Sequence, residues 1–253
     1  MSDAWRMMNG ERKMANEELR MTHDEASGAE RLSSISNLPS LRYRITFATQ
    51  RTLAYVSVLE LGKIWERSLR RAGIPLKYGQ GYNPRPKLHF AAPLPVGCGC
   101  EADLLDVWLE SPLTPEALLT ALTGATPPDL SVSDIRRVPE DEAALSERLS
   151  AAEYRVWLRE VAPEEVSSAI ADFLDSTSLS LPKRGHKYQG QTYDLRPLVE
   201  ELHLENAPAP WSGLGMRLRA RPGATGRPDE VLKALHLSDV PQRCTRTRLI
   251  LDG

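Results

Sequence analysis

A regular pattern of apolar and polar positions first appears at Leu41. Tyr43, Ile45 and Phe47 alternate with Arg42, Arg44 and Thr46, the period of two that marks a half-buried strand. Leu53 to Val56 reads as a short extension or partner of that strand. The period then changes to that of a helix over Val58–Ala72, with Leu61, Ile64, Trp65, Ser68, Leu69 and Ala72 on one face. Ser57 and Glu60 are spaced as a capping box at its start, and Gly73 and Pro75 close it. Strands are expected at Leu88–Ala92 and Asp103–Leu109, a helix at Pro115–Leu122 behind Thr114, and a strand at Leu130–Val138.

A second round begins near Glu153. Tyr154, Val156 and Leu158 alternate as a strand, and Pro163–Leu174 follows as a helix with acids in its first turn. Asp194–Leu202 is read as a strand or short helix, Gly215–Ala220 as a strand, Pro228–Leu235 as a helix and Arg246–Leu251 as a last strand. Each round runs β-α-β-β-α-β, so the expected class is α+β, with two ferredoxin-like lobes built on antiparallel sheets. The expected division is a mobile N-terminal extension over 1–40, a first lobe over 41–150 and a second, less regular lobe over 151–253.

Charge sharpens this picture. The 253 residues carry a net charge of −2, yet residues 42–92 hold ten Lys/Arg against two acids, while residues 93–153 hold three against twelve. Either the two segments neutralise one another in the fold, or the first presents cations to an acidic partner. On the helix, Lys63, Arg67, Arg70 and Arg71 lie opposite the apolar face. The loop that follows, Lys77-Tyr-Gly-Gln-Gly-Tyr-Asn-Pro-Arg-Pro-Lys87, adds Lys77, Arg85 and Lys87, interleaved with Tyr78, Tyr82 and Asn83. Cations that track phosphates beside flat rings on which bases stack are the chemistry of a single-stranded nucleic-acid site. The glycines of the loop match neither a P-loop nor a dinucleotide fingerprint.

Other chemistry is sparse. Cys98, Cys100 and Cys244 lack metal or redox spacing and are read as structural, without a disulfide framework, which suits a reducing, cytoplasmic setting. No apolar run approaches the roughly 18–20 residues that span a bilayer. Glu140-Asp-Glu142 reads as a solvated linker between the lobes. No cofactor or metal site and no catalytic activity are expected. An endoribonuclease using His186 or His89 is the alternative enzyme reading, with Tyr188 as a companion to His186.

Three blocks carry a family likeness: Ser57–Tyr78, the loop and strand Gly79–Gly97, and Glu101–Leu109, with Tyr193–Pro197 and Arg227–Leu235 further on. The sequence resembles the radical-SAM-linked family of uncharacterised proteins, found as separate chains or at the C-terminus of radical-SAM-like proteins. Four positions depart from that pattern: Val58 where the family usually has His, Glu60 where it has Asp, Gly79 where it has Ser, and Tyr82 where it has Phe. The resemblance implies association with a radical-SAM enzyme, and no established activity. The cysteine triad that would hold that enzyme's cluster is absent from this chain. Two readings follow: an accessory factor that presents RNA (tRNA or rRNA) to that enzyme, or a docking partner that touches the enzyme alone.

Overall fold

The computed structural model describes residues 41–80 and 82–252, so the extension expected over 1–40 lies outside the described residues. The first half runs β1 (Arg42–Thr49), α1 (Val58–Arg71), β2 (Leu88–Phe90), β3 (Cys98–Trp108), α2 (Pro115–Leu122) and β4 (Leu130–Val138). A single helical turn, α3 (Leu145–Arg148), leads into the second half. That half runs β5 (Leu149–Arg159), α4 (Pro163–Asp175), β6 (Ser180–Pro182), β7 (Thr192–Asp194), β8 (Val199–Glu205), β9 (Trp211–Arg221), β10 (Ala224–Thr225), α5 (Pro228–Ala234) and β11 (Gln242–Leu251). The protein is thus a mixed α+β chain on one large, mostly antiparallel sheet. The path of that sheet is β10-β9-β5-β11-β3-β1-β4, with β2 beside β3 and β8 beside β9.

Period-two alternation fixes the two faces of β1. Tyr43, Ile45 and Phe47 point inward and are fully buried, and Phe47 meets Trp65 of α1 edge-on at 5.2 Å. Leu61, Trp65 and Leu69 come from one stripe of that helix, as the spacing predicts. In the second half Tyr154, Val156 and Leu158 of β5 join Leu214, Met216 and Leu218 of β9 and Val166, Ile170 and Phe173 of α4 in the same continuous core.

The opposite face of β1 departs from expectation. Arg42 and Arg44 sit where a solvated face would put them, yet Arg44 is only 2% exposed. The segment after β4 folds over them. Asp106, directly across from Arg44 on β3, accepts from Arg44 Nε at 2.8 Å and from Arg42 Nε at 2.8 Å. Glu142 accepts from Arg44 at 2.6 Å and Arg148 at 2.6 Å, and its backbone carbonyl accepts from Arg42. Glu142 is therefore no solvated linker residue. Its carboxylate lets Arg44 be covered and its backbone carbonyl helps to cover Arg42 beside Asp106, because a buried guanidinium left without a partner costs several kcal/mol.

Two further expectations give way for physical reasons. Leu53–Val56 is not extended: a 3-10 turn occupies Arg51–Tyr55, with Arg51 at φ 47° and Asp129 accepting from the Thr52 amide and hydroxyl. β3 starts at Cys98, earlier than the period predicts, because its first residues pair in parallel with β11, Cys98 opposite Cys244. Gly99 is required there, since a Cβ would stand 2.8 Å from the Thr49 carbonyl oxygen. Cys98 and Cys244, 146 residues apart, are joined as a disulfide across this strand pair. The absence of a disulfide framework is thereby corrected, since spacing in sequence says nothing of register between distant strands. Cys100 stays a free, buried thiol, its pKa pushed up to about 12 by burial.

Two outcomes are expected. Unfolded without reductant, the chain takes up one maleimide per molecule, at Cys100, and three after reduction; three in both cases would contradict the Cys98–Cys244 link. Burial alone would raise the Glu142 carboxyl, but bonds from Arg136 and Arg44 outweigh it and hold it at about 2. Its stabilising effect is full above the unfolded value near ~4.3 and is lost as pH falls through about 2. Acid melts of Glu142→Gln should accordingly show a shallower loss of Tm between these values than the wild type, and parallel curves would count against the assignment.

Candidate nucleic-acid interface

The helix α1 is well anchored before it presents any charge. Ser57 Oγ accepts from the Glu60 amide at 3.3 Å, and the Glu60 carboxylate accepts from the Ser57 amide at 2.9 Å, closing the expected capping box. Hydrogen bonds from Ser57 hold the Glu60 carboxyl below its ordinary range. Gly73, at φ 69°, ends the helix in the left-handed conformation that glycine adopts without strain. With Leu61, Trp65, Ser68 and Leu69 buried, Lys63, Arg67, Arg70 and Arg71 are left on the exposed side.

The loop after the helix is held as a small hairpin. The Lys77 amide donates to the Trp108 carbonyl at 2.8 Å, the Lys87 amide to the Lys77 carbonyl at 2.8 Å, and the Gly79 amide to the Arg85 carbonyl at 2.9 Å. Its stem is therefore fixed to β3, and its tip projects. Tyr82 there is 100% exposed, and Asn83 and Arg85 are exposed beside it.

Helix and loop meet where Arg70 reaches Tyr78. Arg70 Nε donates to the Tyr78 hydroxyl at 3.1 Å, its guanidinium lies over the Tyr78 ring at 5.7 Å, and Glu66 pairs with it at 2.8 Å. The ten residues singled out in the sequence divide as follows. Arg70 and Tyr78 are brought together. Arg71 instead donates to the Ala125 carbonyl at 3.1 Å and ties α1 to the end of α2. Lys87 sits over the Trp108 ring at 4.2 Å. Among the described residues, Arg67, Lys77 and Arg85 form no ion pair, and Lys63 does no more than help to lower the Glu60 carboxyl.

Trp108 was missed by sequence reasoning. Arg42 and Lys87 both approach its ring, and His89 meets it edge-on at 4.9 Å. Only the β1–β3 and β2–β3 registers assemble that group, and no local signal announces it. Burial, and then Lys87, push the His89 pKa down. His186 lies in a separate 3-10 turn, His186–Tyr188, between β6 and β7. Among the described residues no group of three or more His, Cys, Asp or Glu is placed to hold a metal ion. No helix among them is long and apolar enough to cross a membrane.

These features define a mixed α+β protein whose first half carries a basic helix and a tethered basic loop. The chain belongs to the family described as "Uncharacterized protein conserved in bacteria (DUF2344)", which matches residues 42–228. That description gives no activity and no partner. No curated protein matches the chain. Among solved structures, a Cbf5-Nop10-Gar1 complex is similar at 9% identity and TM-score 0.45, over 82% of this chain and 48% of that one. An archaeal box H/ACA sRNP Nop10-Cbf5 complex is similar at 10% identity and TM-score 0.41, over 82% and 47%. The chain thus spans about half the length of these two. An unknown protein from Galdieria sulphuraria is similar at 15% identity and TM-score 0.23, over 85% of this chain and 99% of that one.

Proposed function

We propose that this chain binds single-stranded RNA through α1 and the 77–87 loop, as an accessory factor without catalysis of its own. One observation carries the reading. Arginines elsewhere are largely matched to carboxylates: Arg42 and Arg44 to Asp106, Arg155 to Glu205, Arg217 and Arg248 to Glu153, Arg246 to Asp103. Among the described residues Arg67, Lys77 and Arg85 are not, and Lys77 and Arg85 lie on the same loop as the fully exposed Tyr82. Unpaired cations release counterions from a phosphate chain on binding, and an exposed ring gives a base a stacking partner. The mutual neutralisation of residues 42–92 by residues 93–153 accounts for Arg42 and Arg44 and leaves the helix and loop out.

The strand orders β2-β3-β1-β4 and β8-β9-β5-β11 support reading the halves, 41–150 and 151–253, as two ferredoxin-like lobes that share one sheet. The family resemblance supports a radical-SAM enzyme as the recipient of the bound RNA (a tRNA or rRNA). Docking on that enzyme without RNA is the competing reading of the same surface.

The purified protein is expected to bind cellular RNA with an affinity that falls by orders of magnitude between about 50 and 200 mM salt. Replacing Arg67, Lys77 and Arg85 by Ala should reduce the log–log salt slope by about 2, while Tyr82→Ala should weaken binding by about 1–3 kcal/mol and leave the slope unchanged. Absence of binding at low salt, with capture of a radical-SAM enzyme, would replace the RNA reading by the docking one.

A further inference from the structure

We infer that the cleft between the two halves is a binding site for a small aromatic anion, a flat apolar molecule carrying a carboxylate, sulfonate or phosphate. The cleft holds about 660 Å³, within the range of small-molecule sites. It opens between the start of α1, the 91–96 loop and the turn that links β9 to α5. Ala91, Pro93 and Leu94 form one wall and Ala220, Pro222 and Pro228 the other, over a floor of Ala152 and Tyr154. Small and proline side chains leave smooth, stiff surfaces that suit a ring.

The charges give the site its sign. Three arginines, Arg221, Arg227 and Arg246, line the cleft, and among the described residues no carboxylate does. Arg246 is 1% exposed and acts as a brace. Its Nε donates to Asp103 Oδ1 at 2.8 Å, and its terminal nitrogens donate to the carbonyls of Pro93 at 3.1 Å and Ala92 at 3.2 Å. A strand of the second half thereby pins the wall supplied by the first, and the cleft is built in advance of any ligand. Burial opposes the Arg246 charge, but Asp103 outweighs it and keeps the guanidinium protonated.

Arg221 and Arg227 stand exposed at the mouth. Each has one carboxylate neighbour outside the lining, Asp252 at 3.0 Å and Asp229 at 3.4 Å. A guanidinium has five N–H donors, so both retain donors for an anionic group at the rim. The ring would enter between the proline walls and the anion would stay at the mouth. The site is separate from the Arg67, Lys77 and Arg85 surface and does not depend on the RNA reading.

The full chain should be titrated with 8-anilinonaphthalene-1-sulfonate and, in parallel, with the uncharged N-phenyl-1-naphthylamine, following fluorescence. One saturable site per folded molecule is expected for both. Converting Arg221 and Arg227 to Ala should weaken the sulfonate by about tenfold and the neutral probe much less. Ala220→Trp, which fills the cleft, should abolish both, and Thr225→Trp at the rim gives the same test if the first variant melts early. Absence of saturable binding, equal loss of both probes on removing the arginines, or binding that survives a folded Trp variant would overturn the assignment.

Discussion

A guanidinium taken out of water must find a carboxylate, and that requirement organises this protein. Arg42 and Arg44 are covered because Asp106 stands across the ladder and Glu142 is brought over by the segment after β4. Arg246 is covered because Asp103 meets it with two oxygens and two backbone carbonyls take two more of its five donors. The half-exposed outer face of the second half obeys the same rule through Glu153, Glu201 and Glu205 against Arg155, Arg217 and Arg248. Isolated surface pairs of this kind contribute little each, but together they match most of the arginines that the sheet carries; among the described residues Arg137 bonds to the Tyr43 hydroxyl and Arg243 lies over Trp211 instead. On the helix and loop the matching is thinner: Arg70 pairs with Glu66, while Arg67, Lys77 and Arg85 form no ion pair among the described residues.

The joint between the halves depends on the same chemistry. Only three residues of β3 and β11 pair directly, and their parallel register is held by the Arg246–Asp103 pair and the Cys98–Cys244 link. That short seam makes one sheet of two halves and fixes the distance between the 91–96 loop and the β9–α5 turn. The cleft is a consequence of it. A chain without Arg246 would leave Asp103 buried and unpaired and the carbonyls of Ala92 and Pro93 without their donors.

How much of this could be read in the sequence varied with range. The helix α1 was legible in detail, because its cap, its apolar stripe and its terminating Gly73 are all local. The alternation in β1 was legible too, and Tyr43, Ile45 and Phe47 are buried as it predicts. Its polar half misled, since Arg42 and Arg44 alternate as solvated residues do and are covered only by a segment about 100 residues later. The cysteine pair, the Arg246–Asp103 brace and the cleft join residues about 145 positions apart, and no local pattern marks them. That α1 and the loop carry cations on their outer sides was legible as well. Their division was not visible: Arg71 serves the packing of α2, Lys87 packs on Trp108, and Arg67, Lys77 and Arg85 remain open to solvent.

The central claim, that the unmatched cations mark where RNA lies, is tested most directly by ultraviolet cross-linking of the bound complex with peptide mapping by mass spectrometry. Cross-linked nucleotides are expected on the 77–87 peptide, at Tyr82 foremost and Tyr78 next. Cross-links confined to other aromatic residues, such as Trp157 or Trp211 on the arginine-paired strands of the second half, would contradict it.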